Sequence, residues 1–183
     1  SLMFCFNFKM FKSCTAKQSV QKPDINTNHV NPLTLSVSDI DFKDTVPFVP
    51  PVHGGFVVKV YDGDTITIAT KLPIIPLDEQ PVYRFSVRLN GIDTPEMKGS
   101  NDEEKECARR AKEFMIENVM NKQVKLEDVQ LEKYGRLLAT VISPDNKNMN
   151  ELMVEKRFAV KYDGGTKICP KSWQRYYDNG SLD

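Results

Sequence analysis

Hydrophobic and polar residues recur at two periods along this chain of 183 residues, and the changes of period mark out its elements. Phe56 to Tyr61 and Thr65 to Lys71 are β-rich runs hinged at Asp62-Gly63-Asp64. From Val82 to Asn90 the alternation is strict: Phe85, Val87 and Leu89 face one side, and Arg84, Ser86 and Arg88 face the other. Leu72 to Pro81, broken by prolines, reads as a loop between them. The period then lengthens. Cys107, Ala111, Phe114, Met115 and Val119 form the apolar stripe of a helix capped by Asn101 or Asp102 and running to Asn121. Glu103, Glu104 and Glu106 suit its positive N-terminal end. A second hairpin is predicted from Val124 to Gln130 and Arg136 to Ile142, followed by a turn at Pro144-Asp145-Asn146. Asn150 is expected to cap a short helix from Glu151 to Arg157, and Lys171 to Tyr177 to form a last short one. Short strands in hairpins with a helix inserted between them predict an α+β fold that is mainly β. The expected form is a partly open, five-stranded OB-fold barrel with two to three packed helices.

Residues 1–52 carry the Asn, Ser, Thr, Pro and Asp composition of an extension, with Pro47 to Pro51 as linker, so the folded domain is expected over 53–183. Residues 2–14 are phenylalanine-rich and suggest a weak membrane or protein contact. That stretch has neither a basic leader nor a small-residue cleavage site, and no run reaches the ~18 apolar residues of a membrane span. The compartment is left open, with an intracellular one favoured, and the expected state is a monomer. Cys5, Cys14, Cys107 and Cys169 form no C-x-x-C pair, so neither a zinc site nor a disulfide framework is expected; Cys107 reads as a buried hydrophobe. Lysine plus arginine and aspartate plus glutamate each number 25, so binding to a polyanion must come from local basic groups rather than global steering.

The charged residues that could carry chemistry stand at strand ends: Asp64 in the first hinge, Arg88 near the end of its strand, Asp93 and Glu96 just after it, and Arg136 at the second hairpin. Three carboxylates without a neighbouring histidine or cysteine make a hard-oxygen set, suited to calcium or magnesium. Two arginines supply planar forks that match phosphate oxygens. Together these are parts for phosphodiester hydrolysis, in which cations stabilise charge on phosphorus and a carboxylate orients water. The two histidines, His29 and His53, precede or only border the folded domain, which argues against a histidine base. Each piece alone is ordinary turn, cap or surface chemistry. Their occurrence together, in order, is not explained that way.

The ordered set Val60-Tyr61-Asp62-Gly63-Asp64-Thr65, Arg88-Leu89-Asn90-Gly91-Ile92-Asp93-Thr94-Pro95-Glu96 and Lys133-Tyr134-Gly135-Arg136 resembles the thermonuclease, or staphylococcal nuclease-like, family over residues 55–162. The resemblance implies an OB barrel and a calcium-dependent, micrococcal-nuclease-like phosphodiesterase that cuts DNA and RNA to 3′-phosphate ends. It implies one calcium ion held by Asp64, Asp93 and the carbonyl of Thr94, with Glu96 as base or water-positioning carboxylate. Arg88 and Arg136 are the implied phosphate ligands; Lys133 and Tyr134 would contact a terminal phosphate, and Tyr162 would flank the nucleotide. Departures from the pattern are an insertion at 72–81, Val160 in place of a second pocket tyrosine, Arg157 in place of a helix-ending glycine, and a reduced terminal helix. The alternative is a catalytically silent module of the same family that binds nucleic acid or protein. Such modules lose carboxylates or arginines, and here Asp64, Arg88, Asp93, Glu96 and Arg136 are all present.

Overall fold

A computed structural model describes residues 41–99, 101–166 and 169–183. The expectations for Cys5, Cys14, His29 and the 2–14 segment lie outside the described residues. The chain divides into two units, Ser1–Thr45 and Val46–Asp183. In the first, the described residues form a single 3-10 turn, Phe42–Asp44.

The second unit holds β1 (Gly54–Val60), β2 (Thr65–Thr70), β3 (Tyr83–Leu89), β4 (Ile92–Asp93) and α1 (Asp102–Val119), then β5 (Gln123–Leu131), β6 (Leu137–Ile142), α2 (Met149–Glu155), β7 (Val160–Lys161) and α3 (Trp173–Asn179). Five strands make a mainly β barrel in the order β1-β2-β3-β6-β5, with β3 and β6 parallel and the other neighbours antiparallel. The barrel is closed rather than partly open, because β1 also pairs with β5, Gly54 opposite Lys125. Glycine permits that closure: a Cβ on Gly54 would lie 2.4 Å from the Val124 carbonyl oxygen.

The alternating positions deliver one continuous core. Val57, Ile66, Ile68, Val87, Leu89 and Val141 are fully buried from the strands, and Ala111, Met115 and Val119 of α1 join them. Burying a side chain of this size contributes roughly 1.5–3 kcal/mol, so the barrel and α1 stabilise one another. Asn101 caps α1, its side chain accepting from the Glu104 amide at 2.7 Å.

Other boundaries and roles differ from the sequence reading. Asn148, not Asn150, caps α2, accepting from the amides of Asn150 and Glu151. Asn150 is buried instead and ties the barrel together. Its Oδ1 accepts from Val141 N at 2.9 Å, and its Nδ2 donates to the carbonyls of Asn90 and Ala139 at 2.8 and 3.1 Å. Arg157 adopts the left-handed φ of 60° that suits glycine, and its guanidinium donates to the Tyr177 and Asp178 carbonyls near the end of α3. The 72–81 loop is organised by buried Gln80, which accepts from Leu72 N and donates to the Leu72 and Ile75 carbonyls. The terminal helix is reduced to the seven residues of α3, which packs Trp173 against Cys107 and Val160. No helix among the described residues is long and apolar enough to cross a membrane.

Candidate active site

The turn between β1 and β2 places Asp64 at the top of the barrel. Asp62 Oδ1 accepts from the Asp64 amide, and the Asp64 carbonyl accepts from Leu89 N at 2.8 Å, fastening the turn to the end of β3. Gly63 lets this turn sit close to α1 and the next loop, since a Cβ there would lie 2.9 Å from both Ala111 Cβ and Thr94 Cγ2. Asp93 is fixed by the β4–β7 ladder, where it pairs with Val160. Asp64 and Asp93 are each 3% exposed, and Thr94 is 4% exposed.

Arg88 joins the two carboxylates. Its Nη1 donates to Asp64 Oδ2, while its Nη2 donates to Asp93 Oδ1 and to the Ile92 carbonyl, both at 3.2 Å. Burial lifts the Asp64 carboxyl from 3.8 to about 6, against the attraction of Arg88 and with added repulsion from Asp62. Burial also works against the charge on Arg88, but Asp64 and Asp93 together hold its pKa above the ordinary value.

This donor set fits a hard divalent cation. Two buried carboxylates meet at one shared guanidinium, a hard-oxygen pair with a single side-chain cation between them. Among the described residues no group of three or more histidine, cysteine, aspartate or glutamate side chains is gathered as a metal cluster. Glu96 therefore does not complete a three-carboxylate site. It is exposed on the turn after Thr94, where its amide donates to Glu104 Oε1 and its carbonyl accepts from Gly99 N.

Arg136 is half-buried and lies near enough to Arg88 to feel its charge. Glu132 grips it in a bidentate pair, accepting from Nε at 2.6 Å and Nη2 at 2.9 Å across the Lys133-Tyr134-Gly135 turn. The hydrogen bonds from Arg136 hold the Glu132 carboxyl below its usual range. A cavity of about 370 Å3 opens beside this pair, lined among others by Arg88, Glu132, Lys133, Tyr162 and Asp163. Tyr134 is 72% exposed outside that cavity, its ring 4.9 Å from Lys133 Nζ. Val160 is buried against Cys107 and Trp173 and does not line the cavity.

The structure thus brings together Asp64, Asp93, Arg88 and Arg136, and it places Lys133 and Tyr162 on one cavity with Arg88. Glu96 and Tyr134 are exposed at the margins. Glu132, Asp163 and Asn150 were not anticipated as site residues. Glu132 had a legible signal, an acid four residues before an arginine across a tight turn.

Residues 86–178 match the family model described as Staphylococcal nuclease homologue, which is half of the chain. The chain belongs to this staphylococcal nuclease-like family. The matched span contains every singled-out residue from Arg88 to Tyr162 and stops short of Asp64, which the fold itself brings to Arg88. The chain is 34% identical over 112 residues to a protein of Escherichia coli O157:H7 named uncharacterized endonuclease, covering 61% of this chain and 62% of that one. It is 34% identical over 135 residues to a probable endonuclease of Schizosaccharomyces pombe, covering 63% and 59%. It is 32% identical over 116 residues to the Escherichia coli protein named ParB, covering 59% and 56%. The matches span about three fifths of the length of these relatives.

Proposed function

We propose that this chain is a calcium-dependent endonuclease that hydrolyses DNA and RNA to products with 3′-phosphate ends. The observation that carries the reading is the sharing of Arg88 by two buried carboxylates, beside a cavity that also holds Lys133 and Tyr162. The relatives named as endonucleases support the same class of reaction.

In this reading Asp64, Asp93 and the Thr94 carbonyl would hold a calcium ion, which would supply Lewis-acid stabilisation of negative charge on the phosphate. Arg88 and Arg136 donate to non-bridging phosphate oxygens, so each leaves its carboxylate partner to meet the substrate. Glu96, exposed and two residues beyond Thr94, orients the attacking water and accepts its proton. The water oxygen bonds to phosphorus as the bond to the 5′-oxygen breaks. That oxygen departs as a hydroxyl with a proton from solvent, and the phosphate stays on the 3′ side. Lys133 holds a terminal phosphate and Tyr162 flanks the base at the cavity wall.

The test is end-group analysis of products from a labelled oligonucleotide incubated with calcium. New 3′-phosphates, lost when calcium is chelated, are expected. Products with 5′-phosphates would contradict the reaction assigned, and binding without cleavage would support the silent module instead.

A further inference from the structure

The outer face of β1, β2 and β3 continues away from Arg88 in three cross-strand rows. The first is Tyr61, Thr65 and Arg88: Tyr61 N donates to the Thr65 carbonyl at 2.8 Å, and Thr65 pairs with Arg88. The second is Lys59, Thr67 and Ser86, and the third is Phe56, Ala69 and Arg84. A bulge creates this arrangement. Val57 pairs with Ile68 and Lys59 with Thr67, so Val58 is the extra residue. Without it, alternation from fully buried Val57 would send Lys59 and Tyr61 toward the core. With it, both turn outward on one face, Lys59 Nζ standing 5.6 Å from the centre of the Tyr61 ring.

The chemistry of this face is one-sided. Lys59 and Arg84 are cationic and none of the nine positions is acidic, while Arg88 at the inner end is paired with Asp64 and Asp93, in a chain whose net charge is zero. Tyr61 is 58% exposed and Phe56 44% exposed, although both are large enough to have been spent in the core. Small, half-buried Thr67 and Ala69 occupy the middle strand and leave a low floor between β1 and β3, which ends at buried Thr65, whose hydroxyl donates to Asp64 Oδ1. With strands about 4.8 Å apart, that floor is about 10 Å wide, and Arg84 lies about 14 Å along β3 from Arg88. Exposed aromatic rings interleaved with cations along a shallow sheet face are the recognition chemistry of a single-stranded polynucleotide. Rings stack on bases and cations take backbone phosphates.

We propose that this face is a track for a single strand of nucleic acid leading to or from the Arg88 centre, with Tyr61 stacking on a base and Lys59 and Arg84 contacting phosphates. The proposal rests on reading the Arg88 centre as one that acts on nucleic acid, because the first row of the track contains Arg88 itself. It gives a function to the bulge, which otherwise only turns a lysine and a tyrosine outward.

The test separates binding from cleavage. Affinity for a fluorescein-labelled oligothymidylate of about 12 nucleotides is measured by anisotropy, in chelator and over a range of salt, for wild type, Tyr61→Ala, Tyr61→Phe, Lys59→Ala and Arg84→Ala. Tyr61→Ala is expected to weaken binding about fivefold or more, the loss of one stacked base, while Tyr61→Phe stays close to wild type. Lys59→Ala and Arg84→Ala are each expected to reduce the slope of log affinity against log salt by about 0.7, one phosphate each. Wild-type affinity and slope in Tyr61→Ala, Lys59→Ala and Arg84→Ala would overturn the track, as would a wild type that binds no oligonucleotide. A wild type that binds with these sensitivities but never cuts would leave the track standing and refute the nuclease reading alone.

Discussion

An arginine near a strand end is normally replaceable without harm to the fold, and the structure argues that Arg88 is an exception. Its side chain is 15% exposed and donates to two carboxylates whose side chains are each 4% exposed. Arg88→Ala leaves both carboxylates buried without their shared cation. Removing one partner of a buried ion pair costs about 3–5 kcal/mol, and the residual exposure of Arg88 places this case near 3 kcal/mol. Against a total stability of about 5–15 kcal/mol, that is a large fraction. The cost must also depend on pH. The folded Asp64 carboxyl titrates at about 6 rather than 3.8, so the folded state binds this proton more tightly than the unfolded state does. The stability Asp64 contributes is thus full below its unfolded pKa and is lost as pH rises through about 6. At pH 5 most Asp64 is protonated with or without Arg88, and the pair matters less; at pH 8 the ionised carboxylate needs its cation. Urea denaturation in chelator at both pH values measures the difference between wild type and Arg88→Ala. A destabilisation near 3 kcal/mol at pH 8 that shrinks at pH 5 is expected. A loss below about 1 kcal/mol at pH 8, or a larger loss at pH 5, would refute the shared-cation reasoning.

Three further perturbations probe separate parts of the site. Asp64→Asn should abolish the fall in stability between about pH 4 and 6 in chelator and remove most of the stabilisation expected on adding calcium to wild type, both read from thermal melts. Glu132→Gln should weaken the grip on half-buried Arg136, costing at most about 1 kcal/mol of stability while lowering KM for an oligonucleotide up to about fivefold; a raised KM would show that Glu132 positions Arg136 rather than competing for it. Asn150→Ala removes the side-chain partners of buried Val141 N and of the Asn90 carbonyl, while the Ala139 carbonyl keeps Asn90 N, and a loss of about 2–3 kcal/mol in urea denaturation is expected.

Much of this arrangement was legible because it follows from local rules. Alternation in β3 put Arg88 on the polar side, and the Asn101 cap and the Cys107-to-Val119 stripe located α1. Closure of the barrel was not legible, since it depends on Gly54 meeting β5, a contact 71 residues away in sequence between Gly54 and Lys125. The same is true of Asn150. Its position near a helix start suggested a cap, but its amide is used across the core, and nothing nearby in sequence announces that. The β4–β7 pair escaped notice because two residues carry no periodicity, yet that pair fixes Asp93. Glu96 shows the reverse case. The motif points to it, while the structure holds it by backbone hydrogen bonds on an exposed turn outside the buried pair.

Cleavage of single-stranded DNA by the purified chain, with calcium and with chelator, tests the central claim most directly when run beside Glu96→Gln. Calcium-dependent cleavage that collapses in Glu96→Gln while its melting temperature holds is the predicted result. Absence of cleavage by folded wild type in calcium, or undiminished cleavage by Glu96→Gln, would contradict it.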